Sequence, residues 1–323
     1  MAEYREIEGQ AVQSLSSNTG TIEGQVWYDN VSAVFKLESA TISSAWASGG
    51  NLPSVNNGGA GAGTQTATLG FGSRTGPQAQ ATYEYNGSAW TNGGSLNNPQ
   101  GNNNGAGTQT TGLSFGGGPS GTATNKTEEY NGSTWTNVNN MGFIKSLAAG
   151  AGTQTSALCA TGSPNGAKAQ TYDGTNWTTI SDVGTSRYSV GGAAGTNTAF
   201  VMFGGAPNSG ATEEWNGSAW STTGSMNNGR GMYNGGLGVQ TAALAVAGDS
   251  PTSPDSNLVE LYNGSTWSTD TNLSTGRRSI FAGNQSTTAA GIAMGGRIGG
   301  SDQSITEEYT GAGAPVTKTI TTS

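Results

Sequence analysis

The side chains of this 323-residue chain that could carry chemistry are few and unevenly placed. Acidic pairs recur at Glu128-Glu129, Glu213-Glu214 and Glu307-Glu308, cysteine occurs once, at Cys159, and histidine not at all. Two carboxylates flanking one bond are the machinery of glycoside hydrolysis. Neighbours along a strand point to opposite faces, however, so an adjacent pair cannot straddle one substrate. The pairs also share one repeated position, and they read as a solvated feature of a strand. Without histidine, neither a Ser-His-Asp triad nor a histidine-based zinc centre can be assembled. Cys159 lies in the apolar stretch "SALCATG" and reads as a small buried side chain, not a reactive thiol. The expectation is a protein that is not an enzyme and uses neither cofactor nor metal.

The basic residues carry more information. Counting back nine residues from Thr196, Val239 and Thr287, equivalent positions of one repeated strand, gives Arg187, Arg230 and Arg278, and Lys145 sits eight before Thr153. All fall in the connection that leads from one repeat to the next. Arg74, Lys126, Lys168 and Arg297 fall in a second set of connections on the same face. With Arg277, nine of the 12 Lys and Arg residues gather on one side of a chain whose formal net charge is -8. Clustered cations focus potential in a concave opening, and the arginine fork suits carboxylate, sulfate or phosphate groups. Candidate ligand-binding residues are therefore Arg74, Lys145, Arg187, Arg230, Arg277, Arg278 and Arg297, with acidic glycan as the ligand class. The sequence leaves a second reading open, in which these side chains pin loop carbonyls. The acidic balance argues against general nucleic-acid binding. No apolar run is long enough to span a bilayer, and the charged start "MAEYREIEGQ" lacks the form of a secretory signal.

The elements that position these residues are set by a repeat. Tryptophans 46, 90, 135, 177, 220 and 267 are separated by 44, 45, 42, 43 and 47 residues. A spacing of that size implies one supersecondary unit used over and over. Ahead of each tryptophan after the first comes a short apolar strand that stops at glycine, as in "GAGTQTATLGFGS" and "GAGTQTTGLSFGG". Two further short strands follow around an Asn-Gly turn, as in "YEYNGSAWT", "EEYNGSTWT", "EEWNGSAWS" and "ELYNGSTWS". Four strands per unit and six units predict an all-β chain, and 55 Gly with 25 aromatic residues (8 Trp, 10 Tyr, 7 Phe) suit tight turns between packed sheets better than a solvated coil.

Short strands ending in Gly-Gly, then an aromatic, then Trp, resemble the kelch repeat, and the resemblance covers roughly residues 46–310. It implies a six-bladed β-propeller, in which the repeated aromatics Trp46, Trp90, Trp135, Trp177, Trp220 and Trp267 fill gaps between blades. It also implies partner binding through the basic loop face. The copper site of some kelch oxidases needs histidines that this chain lacks. The last unit, "ITEEYTGAGAPVTKTI", has no tryptophan, and Trp46 has no preceding strands, so the strand bearing Trp46 is expected to complete the blade begun by residues 287–310. The competing arrangement takes "PVTKTITTS" as the last strand and leaves Trp46 for a seventh, incomplete blade. Residues 1–42 stand apart from the repeats of the propeller at 43–323, with an extended arm followed by a hairpin over 24–38 that is too small to bury its own core and must pack against the propeller or a partner chain. The blend of this head with Gly-Thr-Gln-Thr repeats resembles structural proteins of marine tailed bacteriophages. That likeness implies a virion-surface protein of tail-fibre or decoration type. Its head would contact other virion proteins or another copy of the chain, and its propeller would attach to host-surface glycan. A ring that stiffens the particle and binds nothing, and an intracellular kelch adaptor, are the alternatives.

Overall fold

The computed structural model describes residues 13–15, 26–29, 31, 33–40, 43–250, 252–313 and 315–320. Two compact units emerge, one spanning 45–310 and the other 1–44 with 311–323.

The larger unit is a ring of six four-stranded antiparallel sheets. The first blade runs Ala60–Thr64, Ala67–Phe71, Thr82–Tyr85 and Trp90–Asn92 from the inside out, and the next four repeat that order. The sixth takes Phe281–Ala282, Ala290–Met294 and Thr306–Thr310 from the end of the ring and Ala45–Ser48 from its start. Tyr309 pairs with Trp46 and Glu307 with Ser48, so the expected closure is the one observed, and among the described residues no seventh blade forms.

Short strands bounded by glycine can crowd at an axis where longer side chains cannot. An added Cβ at Gly61 would sit 2.2 Å from the Ala282 carbonyl oxygen of the sixth blade, and one at Gly105 would sit 2.6 Å from that of Gly61. The innermost strands thus meet through their main chains, and apolar side chains are displaced outward into the seams. Each of six apolar clusters lies between two neighbouring blades; one joins Leu69, Phe71, Tyr130 and Trp135, and another joins Leu158, Val190, Phe200 and Trp215.

The outer turn also follows from sequence, with one difference. The commonest tight Asn-Gly hairpin places both residues at positive φ, but here only the glycine is, with Gly87 and Gly132 at φ +90°. The asparagine instead uses its side chain as the acceptor, and Asn131 Oδ1 takes the N–H groups of Ser133 at 3.0 Å and Thr134 at 2.9 Å. This side-chain mimic of a backbone turn is a recognised asparagine property.

The smaller unit is a four-stranded sheet. Val26–Asp29 and Val34–Ala40 form the expected hairpin, with Tyr28 packed edge-on against Phe35 at 5.3 Å. Gln13–Leu15, within the expected arm, pairs parallel to Trp27–Asp29, and the rest of that arm lies outside the described residues. Pro315–Ile320 pairs with Val34–Ala40, so this stretch, assigned from sequence to a propeller at 43–323, belongs with the smaller unit. A β-rich segment takes whichever open edge its register reaches, and the sixth blade's edge is already filled by Ala45–Ser48.

Deletion of residues 1–50 removes the outermost strand of the sixth blade and leaves a sheet edge bare. Cooperative thermal unfolding is expected to be lost or to fall to a much lower midpoint; an unchanged melting curve would show that Ala45–Ser48 does not close the ring.

Candidate functional site

The loop face that gathers the basic residues is built from the connections entering each blade. A charged side chain there must either reach solvent or find a partner, because an unpaired buried charge is costly. The structure buries four of the nine. Arg187 is 3 % exposed, and Arg230, Arg277 and Lys145 are each 0 % exposed.

Each of these arginines is paired to the first glutamate of the third strand in the blade its loop enters. Arg187 Nη1 meets Glu213 at 2.6 Å, Arg230 Nη1 meets Glu260 at 2.5 Å, and Arg277 pairs with Glu307. The same carboxylates accept loop N–H groups, from Gly184 at 2.7 Å onto Glu213, Asn227 at 2.7 Å onto Glu260 and Ser274 at 2.8 Å onto Glu307. Arg230 also donates to the carbonyls of Ala247 at 2.7 Å and Ala245 at 3.1 Å. Lys145 has no carboxylate partner among the described residues, and its ammonium donates to the carbonyls of Thr161, Asn165 and Lys168. Burial drives its pKa down from the usual lysine range. Arg230, Arg277 and Lys145 pin carbonyls, as the second reading has it, whereas Arg187 is held by Glu213 and donates to no carbonyl among the described residues.

The register taken from Thr287 also shifts. Arg277, not Arg278, occupies the buried position, because the sixth blade carries extra residues around Asn284 between its first two strands. Arg278 instead pairs with Asp255 at 2.5 Å, Lys168 with Asp182 at 2.8 Å, and Arg297 lies 3.6 Å from Asp302. Arg74 and Lys126 are exposed and form no ion pair among the described residues. The nine basic residues thus share a face, but only these two present an unpaired charge on it.

The glutamate pairs, expected to be solvated, are corrected too. Adjacent carboxylates do point to opposite faces, and each finds a different protein partner. The first, as at Glu128, Glu213 and Glu307, is at most 2 % exposed and anchors the entering loop. The second reaches across the seam to a tyrosine of a neighbouring blade: Tyr130 donates to Glu84 at 2.5 Å, Tyr172 to Glu129 at 2.8 Å, Tyr262 to Glu214 at 2.9 Å, and Tyr85 to Glu308. Burial, with the nearby carboxylate, pushes the Tyr85 and Tyr130 hydroxyls up to about 12.

The repeated tryptophans do fill the seams. Nε1 of Trp135 donates to Thr82 at 2.9 Å and that of Trp267 to Thr212 at 2.9 Å, each in the preceding blade. Sequence reasoning missed the glutamine of the Gly-Thr-Gln-Thr motif. Gln109 bonds the carbonyls of Thr68 at 3.2 Å and Tyr85 at 2.6 Å, and Gln65, Gln154 and Gln240 repeat the double bond to the blade before. Its signal was present, since a polar residue fixed at one place in a turn demands a partner.

The axis itself is nearly filled. Gly61, Gly105, Gly150, Gly236, Ala282, Asn234 and Asn284 line a cleft with room for about one water. Asn234 Nδ2 spans to the carbonyls of Gly59 at 2.9 Å and Asn103 at 2.8 Å, Asn284 Nδ2 to Gly105 at 2.7 Å, and Gln285 to Gly152 at 2.8 Å. These amides tie the fifth and sixth blades to the first three across the ring.

No family model matches the chain, and no curated protein matches it in sequence. Among solved structures, one described as "Structure of YjhT" is similar, at 13 % identity with a TM-score of 0.65 over 84 % of this chain and 99 % of that one. At that identity the likeness speaks to the fold alone, and it supports the six-bladed propeller.

Removing one partner of a buried ion pair strands the other charge. Arg230→Ser is expected to cost about 3–5 kcal/mol in denaturant unfolding, while Arg230→Met combined with Glu260→Leu recovers most of it. A single variant as stable as the parent would show that the pair is solvated. Alkaline pH gives an independent check. The folded state favours neutral Tyr85 and Tyr130, so their contribution is complete below pH 10 and is lost as pH climbs towards about 12. Tyr85→Phe should flatten that loss, measured as melting temperature against pH.

Proposed function

We propose that this chain is a structural and docking component, a non-catalytic ring presented at the surface of a tailed-phage virion. One observation carries the structural reading. Four basic side chains that a binding or catalytic face would use are spent inside the molecule, where Arg187, Arg230, Arg277 and Lys145 lock loops to blades. Tyr–Glu, Trp–Thr and Gln–carbonyl bonds tie blade to blade in the same way. A propeller fold is consistent with a structural or protein-interaction role. The virion setting rests on the resemblance of the head region and of the Gly-Thr-Gln-Thr repeats to structural proteins of marine tailed phages. In that setting the sheet of residues 1–44 and 311–323 contacts other virion chains or a second copy of this one.

A second reading is favoured by Arg74 and Lys126. Two exposed cations without acidic partners on adjacent blades suit weak contact with an acidic envelope polysaccharide, which many copies on one particle would strengthen.

The readings part in one experiment. The purified chain and its Arg74→Ser/Lys126→Ser variant are passed over host envelope polysaccharide at low and high salt. The structural reading expects no retention of either form. Salt-sensitive retention of the parent that the variant loses would replace it with glycan attachment through this face. Imaging of intact particles tests the setting, which fails if the chain is not part of them.

A further inference from the structure

Four of the outer turns combine the same three features. Asn86, Asn131, Asn216 and Asn263 are exposed and each is followed by glycine, at φ +90°, +90°, +92° and +92°. The side-chain oxygen of each accepts the main-chain N–H groups two and three residues on, at 3.0 and 2.9 Å, and the hydroxyl of the serine two residues on; these three donors are common to all four turns, and a threonine hydroxyl adds a longer contact at Asn131 and Asn263. Among the described residues, the N–H groups of Gly87, Gly132, Gly217 and Gly264 make no hydrogen bond. An electrophilic carbonyl held by three donors therefore sits one residue from an untied backbone nitrogen.

We propose that these four turns are sites of spontaneous deamidation, favoured by their own hydrogen bonds. The glycine nitrogen gives up its proton to solvent and attacks the asparagine Cγ, placing negative charge on Oδ1. The three donors stabilise that charge as an oxyanion hole does. The bond from Cγ to Nδ2 breaks, ammonia leaves with a proton from water, and a cyclic imide remains. A water molecule then adds to one imide carbonyl and opens the ring, giving aspartate or isoaspartate. The net reaction consumes one water, releases one ammonia and oxidises nothing.

The fifth turn of the series shows the product in place. Asp173 is followed by Gly174, and its Oδ1 accepts the N–H groups of Thr175 at 2.8 Å and Asn176 at 2.7 Å. Those N–H groups hold its carboxyl below the usual carboxylate range. Hydrolysis to aspartate keeps the turn, therefore, while full conversion adds four negative charges to the outer turns of a chain whose net charge is -8.

The chain supplies its own comparisons. Asn92-Gly93 is exposed, but the Gly93 N–H is tied to the Thr82 carbonyl at 2.9 Å. Asn228-Gly229 is exposed with an untied glycine nitrogen, but Asn228 Oδ1 accepts no hydrogen bond among the described residues.

The full-length protein is held at neutral and at mildly alkaline pH, and each Asn-Gly peptide is followed by mass spectrometry. The four turns are expected to convert several-fold faster than Asn228, with Asn92 slowest and every rate rising with pH. Ser133→Ala removes one donor and should slow Asn131 while its three siblings keep their rates. Asn131→Asp should leave the melting temperature unchanged. If Asn92 keeps pace, exposure alone governs the rate and the proposal fails. It fails equally if the turns lag behind Asn228, since the hydrogen bonds would then protect the amide.

Discussion

The contact on which this fold depends is that of main chain against main chain at the axis. Where Gly105 faces Gly61 and Gly61 faces Ala282, a side chain would collide with a neighbouring carbonyl. Six sheets can converge there only if the innermost strands are nearly bare, and the apolar mass must then sit further out. No single core exists as a result. Stability is divided among six seams, each holding its own cluster of aliphatic and aromatic side chains.

A seam between two sheets is only partly apolar, because strand ends and turns bring carbonyls and N–H groups to its rim. Buried polar groups of that kind need partners. The repeat supplies them in kind: glutamine to the carbonyls, tryptophan Nε1 to a threonine hydroxyl, and tyrosine to the second glutamate. Each bond contributes about 0.5–1.5 kcal/mol net, so their number matters more than any one of them.

The same logic explains why a face rich in arginine is not a strongly basic surface. Arginine appears at the loop position of the fourth, fifth and sixth blades, where a glutamate waits on the third strand. In the second blade Glu128 is held by the N–H groups of Asn97 and Asn98 and by Gln100, which stands in the arginine's place. The third blade has neither Arg nor Glu at this position, but Lys145, held by carbonyls, and Gln170, held by the Gly142 N–H and the Thr179 hydroxyl. The first has Asn56 and Tyr83. Arginine appears at this position only where a glutamate faces it, and the buried Glu128 and Lys145, which lack an opposite charge there, are held by N–H groups and by carbonyls instead, since a lone buried ion would cost more than the contact returns.

Much of this was legible in the sequence. The tryptophan period gave the number of blades, the missing last tryptophan gave the closure through Trp46, and the hairpin expected over 24–38 is found at Val26–Asp29 and Val34–Ala40. These are local or periodic signals, and a periodic chain has few ways to bury one apolar face per unit. The destination of Pro315–Ile320 was not legible, because a short β-prone segment carries no mark of which edge it joins. Nor was the fate of Arg187, Arg230 and Arg277. Sequence placed them on a common face, but whether a guanidinium on that face points to solvent or to a carboxylate some 30 residues away depends on how the next blade packs. Only the tertiary structure brings Glu260 to Arg230, and that proximity, not residue type, decides between a ligand site and a lock.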